Sequence, residues 1–445
     1  MRKFYISSIV TLFLVLFLCG CKESARPVFE PLDEFTLNKL NVPGAEEEEA
    51  VFKQWIKNNN ENLNWGNFAR ENVLNPEILN KSLSLGSSFL VNNQKPAGNF
   101  NYEYDFETKT FASGDNQVRQ AGALWGVALI FAYNQDPDLK KALDKSLEFF
   151  FKFTKEGNVP GSRAIFYKNE INSKTGTVAL VSLGIIEYLY AEKAGLLKLK
   201  DSYRQTLEDN LRGYIQHLLS IQLENAHFAD SYTSHEKTNY HSNKYNPYAD
   251  GEVLLALIKA VKYLGYEELK PVFEDSAFLI AKDYTMDQWP KDPDSNLTKG
   301  FYQWSSMAFW EYQDTGWKDS EYYGDYVENM AWWMIFTHRT LQRTRNTAYA
   351  YEGIIHAYEI AKSENNESAK STLAFTIDRG LTKLTSWQVG GPLESRNKFL
   401  SSFNEFPPVA IGGIMNHRKE PLLRIDVTQH QMHSVILALK YRYIN

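Results

Sequence analysis

The sequence predicts an all-α domain in which six helical hairpins close into a ring, with small β-hairpins in the loops of one rim. Segments with the 3.6-residue hydrophobic period of a helix alternate between two kinds, one amphipathic and charged, the other apolar on nearly every face. Links that lead into the apolar helices are mostly long, whereas links that leave them are short. Both patterns indicate a buried inner layer surrounded by a half-exposed outer layer.

The amphipathic helices are expected outside, because each has one face rich in charged side chains. They are Pro76–Asn92, Asp138–Thr154, Ser202–Gln222, Glu267–Asp283, Ser320–Phe336 and Glu367–Trp387. The apolar helices are expected inside, because a helix that is apolar nearly all round is buried. They are Gln117–Tyr133, Thr177–Ala194, Gly251–Leu264, Phe301–Tyr312, Thr347–Lys362 and Val427–Tyr443.

The long links precede the inner helices and so are predicted to share one rim, above the N-termini of those helices. Within them, Phe100–Phe111 and Ala164–Ile171 alternate apolar and polar residues beside turn formers, which predicts two small β-hairpins. Only the link Thr337–Asn346 is short.

This pattern of six alternating hairpins resembles the (α/α)6 toroid, the fold of many glycoside hydrolases, polysaccharide lyases and sugar epimerases. The resemblance covers roughly residues 75–445. It implies a poly- or oligosaccharide as the partner, bound in a funnel where the inner helices begin.

The N-terminus has the pattern of a processing signal, with Arg2 and Lys3 before the apolar stretch Phe4–Leu18. Leu18-Cys19-Gly20-Cys21 resembles the lipobox of bacterial lipoproteins, which implies lipidation at Cys21; the alternative is an uncleaved anchor helix. The residue after Cys21 is Lys22 rather than the Asp that is linked with retention in the inner membrane. We therefore expect the outer membrane of a Gram-negative cell. We expect a signal peptide at 1–20, a tether with a short helix at 21–70, and the toroid domain at 71–445.

Composition narrows the function further. The net charge of −6 and the pI near 5.9 argue against a nucleic-acid partner. Aromatic residues make up 14% of the chain, which suits either a large core or stacking on sugar rings. Both cysteines lie in the signal segment, so the mature domain has no cysteine nucleophile or Cys-based metal site.

Polar and aromatic residues cluster where each inner helix begins, and a ring would bring them together, with the helix dipoles favouring an anionic group such as a uronate or sulfate. The residues predicted to bind substrate are Asn116, Gln117, Arg119, Gln120, Trp304, Asn346, Tyr349 and Gln429. Some polar residues at these starts suit N-caps instead, namely Asp115, Thr175, Asp250 and Asp426.

Five residues are candidates for catalysis. Asp250 and Glu252 put two carboxylates near one helix start, and Glu352 is a charge within an otherwise apolar helix. Such a charge needs a partner or a cavity, and an ion pair with Arg119 is the alternative to catalysis. Asp426 precedes His430 by four positions, so both can share one helix face. A structural role is the alternative for His430.

Several classes of enzyme lack their motifs here. The chain has no Gly-rich phosphate loop, dinucleotide fingerprint, Gly-x-Ser-x-Gly elbow or HExxH motif. We therefore expect no cofactor and no metal.

Hydrolysis of a glycan ranks first, because it needs two carboxylates and acidic candidates are numerous. Elimination at a uronate, or epimerisation, is the alternative; it would use Asn116 and Arg119 to neutralise the carboxylate and Tyr349 and His430 to move the proton. A non-catalytic glycan-binding or envelope-assembly lipoprotein is the second alternative. A helical-repeat protein that binds a partner is the third, and an open solenoid would favour it.

Overall fold

The computed structural model describes residues 73–235 and 238–443. The predicted signal peptide, Cys21, the predicted tether and the short helix expected in it lie outside these residues. In the described part twelve α-helices alternate along the chain. They are α1 (Pro76–Asn92), α2 (Gln117–Asn134), α3 (Pro137–Phe151), α4 (Thr175–Lys193), α5 (Asp201–Ser220), α6 (Pro247–Lys259), α7 (Lys270–Tyr284), α8 (Asn296–Gln313), α9 (Ser320–Trp332), α10 (Ala348–Ser363), α11 (Glu367–Thr385) and α12 (Ile425–Leu437).

The even-numbered helices form a closed inner ring. Each packs against the next in the order α2, α4, α6, α8, α10 and α12, and α12 packs back against α2. The odd-numbered helices pack outside, for example α3 on α2 and α5 on α4. The predicted (α/α)6 toroid is confirmed, and the open solenoid is wrong.

Burial separates the two layers as the sequence predicts. Every residue of α4 from Thr175 to Leu189 is buried, whereas α5 buries one stripe that includes Leu207, Leu211 and Leu218. Small residues let the inner helices approach closely. A Cβ on Gly184 of α4 would lie 2.1 Å from the Leu124 side chain of α2, so a larger residue there would push the two helices apart.

Helix bounds differ from the prediction most at the starts of two inner helices, α6 and α8. Helix α6 begins at Pro247 rather than at Gly251, because the Asn246 side chain caps it by accepting the Ala249 N–H. Helix α8 begins at Asn296 rather than at Phe301, because the Ser295 hydroxyl caps it by accepting the Leu297 N–H. Helices α6, α9 and α12 each end in one π-helical turn, at Ala260–Leu264, Trp333–Thr337 and Ala438–Arg442.

The first predicted hairpin is present and is part of a larger sheet. Strand β1 (Glu103–Asp105) pairs antiparallel with β2 (Thr110–Phe111). On its other edge β1 pairs with β8 (Leu422–Arg424), which directly precedes α12. The link before α2 is thereby attached to the link before α12.

The second predicted hairpin is wrong in position. Strand β4 (Arg163–Ile165) pairs with the preceding β3 (Thr154–Glu156). The strand cannot continue past Ile165 because Lys168 and Asn169 have left-handed backbone, with φ of 51° and 64°. A third sheet, absent from the prediction, has the order β5 (Asn172–Lys174), β6 (Ser231–His235), β7 (Thr238–His241).

All three sheets thus lie in links that lead into inner helices, with β5 and β8 directly before α4 and α12. They form the rim over the N-terminal ends of the ring. Among the helices of the described residues, none combines the length and the apolar character that crossing a membrane requires.

Candidate active site

A cavity of about 500 Å³ opens where the six inner helices begin. Every inner helix contributes lining residues from its first turns or the link before it. Nine predicted site residues line it: Asn116, Arg119, Glu252, Trp304, Asn346, Tyr349, Asp426, Gln429 and His430. Four predicted site residues are not among the lining residues: Gln117, Gln120, Asp250 and Glu352.

Trp304, a lining residue of the cavity, belongs to a cluster of aromatic side chains inside the circle of inner helices. The rings of Trp125 on α2 and Trp304 on α8 have centroids 5.5 Å apart, although α2 and α8 stand opposite each other in the ring. His433 packs edge-on against Trp125 at 5.3 Å. Trp304 is the member of this cluster that lines the cavity, and the Trp125 ring holds it in place.

His430 is held by a buried carboxylate. The side chain of Glu352 is fully buried, and its Oε1 lies 3.1 Å from Nδ1 of His430 and 2.9 Å from Nδ1 of His433. Since a carboxylate only accepts hydrogen bonds, both Nδ1 atoms donate. The Gln303 amide nitrogen lies 3.1 Å from Nδ1 and 3.2 Å from Nε2 of His430. Because Nδ1 donates to Glu352, Nε2 is the ring atom left to accept a proton, and His430 lines the cavity.

The proton affinities of this pair follow from the contact. Burial by itself would raise the pKa of Glu352, but the charge of His430 and the hydrogen bonds from both imidazoles lower it. Burial would lower the pKa of His430, but the Glu352 charge and hydrogen bond raise it. Glu352 therefore makes His430 a stronger base. The predicted Arg119–Glu352 ion pair is wrong, and Glu352 positions His430 from behind the cavity wall.

Glu252 is the lining carboxyl that has no partner. Its side chain is 3% exposed, and no described residue forms a hydrogen bond or an ion pair with it. It fits against Gly176 of α4, where a Cβ would lie 2.2 Å from Oε2. Burial raises its pKa well above the usual range, which favours the acid form that can donate a proton.

Asp250 is placed away from the cavity, which corrects its predicted role in catalysis. It is fully buried; the Phe228 N–H donates to Oδ1 at 2.8 Å, and His227 Nδ1 and the Tyr284 hydroxyl contact Oδ2 at 2.8 and 2.6 Å. Two residues of helix turn the chain by about 200°, so Asp250 and Glu252 point in opposite directions. Asp250 joins α6 to its neighbouring loop and to α7.

Asp426 lines the cavity between two arginines. Arg424 contacts both of its oxygens, at 3.0 and 2.7 Å, and Arg119 Nε lies 3.3 Å from Oδ2. Arg119 also donates to the Tyr102 hydroxyl. Both oxygens of the carboxylate are thus engaged by cations, so Asp426 organises the rim between α2 and α12.

Gln117 and Gln120, predicted to bind substrate, are buried and occupied within the protein. Gln120 accepts from the Phe100 N–H at 2.8 Å and donates to the Phe100 carbonyl at 2.9 Å. Gln117 donates to Glu170 at 3.1 Å and accepts from the Thr177 hydroxyl at 3.0 Å. Both hold rim segments in place.

The predicted N-caps are displaced by one to four residues. Asn116 and Asn246 cap α2 and α6 through their side-chain oxygens. The residues flanking α4 and α12 are Lys174 and Arg424, without a side-chain cap bond. Asp115 instead receives hydrogen bonds from Gln120, Tyr167 and Lys168. Its carboxylate fastens the β4–β5 link to α2.

Two lining side chains have polar atoms that no described residue satisfies. Both amide atoms of Gln429, which is fully buried, and Nε1 of Trp304, which is 4% exposed, lack a hydrogen-bond partner. Gly126 makes room for Gln429, since a Cβ there would lie 2.0 Å from its Cγ. Unsatisfied buried polar groups are costly, so a polar ligand is the expected partner. Asn346, by contrast, uses its oxygen to accept the Ala348 N–H.

Tyr349 is oriented by a histidine that the sequence did not single out. His338 Nδ1 lies 2.7 Å from Asp294 Oδ1, and its Nε2 lies 3.2 Å from the Tyr349 hydroxyl. Burial is the main cause that lowers the pKa of His338 to about 4, so the ring is neutral. Nδ1 then donates to Asp294 and Nε2 accepts the Tyr349 proton, which leaves the phenol oxygen as an acceptor.

Eight further polar lining residues were not predicted as site residues: Lys174, Asp230, Asn246, Tyr248, Lys299, Gln303, Asn416 and Arg424. Asn246 followed by Pro247 is a helix-start signal that the sequence does contain. Lys299 was placed in a loop because α8 was expected to begin later. No group of three or more His, Cys, Asp or Glu side chains within 73–235 and 238–443 is arranged to hold a metal ion.

No protein-family model matches the sequence, and no curated protein matches it either. Solved structures do. An α-mannanase of glycoside hydrolase family 76 from Bacteroides thetaiotaomicron has a TM-score of 0.53 at 11% identity, covering 82% of this chain and 96% of that one. A D-mannose isomerase has a TM-score of 0.53 at 12% identity, covering 82% and 98%.

A cellobiose 2-epimerase from Bacillus thermoamylovorans has a TM-score of 0.51 at 10% identity, covering 81% of this chain and 98% of that one. At such low identity the similarity establishes a shared fold. The chain has the (α/α)6 toroid fold of these proteins.

Proposed function

We propose that this protein is an enzyme that acts on a saccharide by proton transfer, with Glu252 as acid and His430 as base. One observation carries the proposal: the buried Glu252, which has no partner among the described residues, and His430, which is hydrogen-bonded to the buried Glu352, line the same cavity. Their helices, α6 and α12, are opposite in the ring. Paired groups tuned to different proton states are the basis of acid–base catalysis.

The reaction that fits is isomerisation or epimerisation next to a sugar carbonyl. His430 Nε2 removes the proton from the carbon beside the carbonyl, and Glu252 gives its proton to the carbonyl oxygen. The C–H electron pair becomes the C=C bond of an enediol. For isomerisation, the protonated His430 returns its proton to the former carbonyl carbon, while the hydroxyl on the adjacent enediol carbon gives its proton to the Glu252 carboxylate and becomes the new carbonyl. For epimerisation, water delivers a proton to the opposite face of the deprotonated carbon, the resulting hydroxide takes the proton from His430, and the enediol hydroxyl returns its proton to Glu252 as the original carbonyl forms again. The D-mannose isomerase and the cellobiose 2-epimerase with this fold support the assignment.

Hydrolysis is the second candidate, and a specific observation favours it. Glu252 and Asp426 are two carboxyls that line one cavity, the first buried without a partner among the described residues and the second ion-paired with Arg119 and Arg424. Glycoside hydrolysis uses such a pair, and the family 76 mannanase has the same fold. Hydrolysis ranks second because Asp250 and Glu352, which supported it in the sequence, are engaged in the protein interior.

Product analysis separates these candidates. The purified full-length protein would be incubated with reducing mono- and disaccharides and with polysaccharides. Proton transfer gives an isomeric sugar with no new reducing ends, hydrolysis gives new reducing ends, and elimination gives an absorbing double bond. We expect the first result, lowered about 10²-fold or more in Glu252→Gln and His430→Ala. Binding of sugars without any product would instead indicate a glycan-binding protein.

We also propose that the enzyme is anchored to the cell envelope by lipid at Cys21, in the outer membrane. The lipobox-like Leu18–Cys21 supports this. Labelling of cells with a palmitate analogue would mark the native protein, and Cys21→Ala would lose both the label and the membrane fraction. Label retained in Cys21→Ala would reject the anchor.

A further inference from the structure

The cavity contains cations that no carboxylate of the described residues neutralises. Arg119 and Arg424 are paired with Asp426. Lys174 and Lys299 line the same cavity and form no ion pair with the described residues. The distinction matters because a paired cation is already satisfied, whereas an unpaired one is free to hold a ligand.

Lys299 is the more telling of the two because it is partly buried. It lies in the first turn of α8, with its ammonium 5.9 Å from the centroid of the Tyr349 ring. The carboxylate of Asp294 is taken by His338 and Arg343, each at 2.7 Å. Burial, and then the Arg343 charge, lower the pKa of Lys299. A partly buried charge without a partner is unfavourable, and an anion beside it would remove that cost.

The charge balance of the lining points the same way. Four Lys and Arg side chains line the cavity against three carboxyls, Asp230, Glu252 and Asp426, so at least one positive charge is in surplus. Burial raises the pKa of Glu252, which adds to this surplus. The whole chain has a net charge of −6. An acidic protein therefore has an electropositive cavity, to which the inner helix N-termini add partial positive charge.

Two uncharged lining groups suit neutral polar atoms of a ligand. The amide of Gln429 and Nε1 of Trp304 are more than nine-tenths buried and have no hydrogen-bond partner among the described residues. Both line the cavity. Sugar hydroxyls can satisfy the amide oxygen, the amide nitrogen and the indole N–H at once.

We propose that the saccharide bound in this cavity carries an anionic substituent, a carboxylate or a sulfate, which Lys299 holds while sugar hydroxyls bond Gln429 and Trp304. The inference rests on the proposed function only for the ligand being a saccharide. It adds a specificity-determining residue and a charged substrate class.

Binding of matched sugar pairs tests this directly. Calorimetry on the full-length protein would compare D-glucuronate and D-glucose 6-sulfate with D-glucose, and D-galacturonate and D-mannuronate with their neutral counterparts. A charge-assisted hydrogen bond predicts about tenfold to a hundredfold tighter binding of an anionic member, weakened by added salt. The uronate and sulfate arms show which anion is preferred.

Variants locate the effect. Lys299→Met should remove most of the anionic preference and leave affinity for the neutral sugar unchanged, whereas Lys299→Arg should retain it. Lys291→Met is the matched control, because Lys291 is exposed and is not among the lining residues. Equal binding of anionic and neutral members, no binding of any anionic sugar, or an unchanged preference in Lys299→Met would overturn the proposal.

These results are distinguishable from failure of the proposed function. Preferential binding of an anionic sugar without turnover would reject the proton-transfer enzyme and keep the charged ligand. Turnover of neutral sugars with no affinity for anionic ones would do the reverse.

Discussion

Nδ1 of His430 on α12 donates a hydrogen bond to Oε1 of Glu352 on α10 over 3.1 Å. Glu352 is fully buried while His430 reaches the cavity. The contact joins two neighbouring inner helices and fixes which nitrogen of the imidazole is available to a ligand.

Glu352→Gln should therefore lower kcat and shift the pH profile. Glu352 raises the pKa of His430, so its neutralisation lowers that pKa and moves the acid limb of kcat/KM to lower pH. The amide oxygen of the variant can still accept the Nδ1 hydrogen bond, so the imidazole keeps its orientation. Because the negative charge is lost, His430 becomes a weaker base, and we expect kcat to fall at least about tenfold. A lower kcat with an unmoved acid limb would mean that Glu352 has only a structural role.

Glu252→Gln should change how stability depends on pH. The folded state raises the Glu252 pKa above its usual 4.5, so its contribution is fully present below that pH and is lost as pH rises through the folded pKa. The variant lacks this loss. Tm would be measured from acid to alkaline pH for both proteins, and with rising pH the Tm of the native protein should fall relative to that of Glu252→Gln. If the two plots of Tm against pH are parallel, the raised pKa of Glu252 is contradicted.

Asp250→Asn should destabilise the fold. An asparagine side chain would point its N–H group at groups that donate hydrogen bonds to Asp250 in the native protein. Each buried donor left unpaired would cost about 1–3 kcal/mol of folding free energy. Urea denaturation would measure the loss, with Glu252→Gln, two residues along the same helix, as the matched variant. Full stability combined with lost activity would return Asp250 to the catalytic site.

Gly176→Ala should displace the Glu252 carboxyl, because the added methyl would overlap Oε2 at 2.2 Å. We expect kcat to fall about tenfold or more while circular dichroism stays native. Gly324→Ala is the control on outer helix α9, where the nearest atom to the new Cβ is 3.8 Å away. Native kcat in Gly176→Ala would show that the position of Glu252 does not matter for turnover.

The ring could be predicted from sequence because burial is a property of each helix face. The apolar run along α4, for example, leaves it no place except the inner layer. The third sheet could not be predicted, because β5 and β6 are short and the residues that pair with each other are far apart in the sequence.

The site residues were harder for a geometrical reason. Whether Asp250 or Glu252 points into the cavity depends on how α6 is rotated about its axis. The start of the helix at its cap, Asn246, is part of what fixes that rotation. Contacts such as Glu352 with His430 join different inner helices, and a single sequence contains no signal for them. Lys299 was missed because the start of α8 was placed too late.

Solvent deuterium incorporation tests the central claim most directly. The full-length protein would be incubated in D2O with a reducing sugar that it converts, and NMR would follow the carbon beside the carbonyl. Proton transfer by His430 and Glu252 predicts deuterium at that carbon in the product, with incorporation lost in His430→Ala. Turnover that leaves this carbon fully protonated, or incorporation that persists in His430→Ala, would contradict the account.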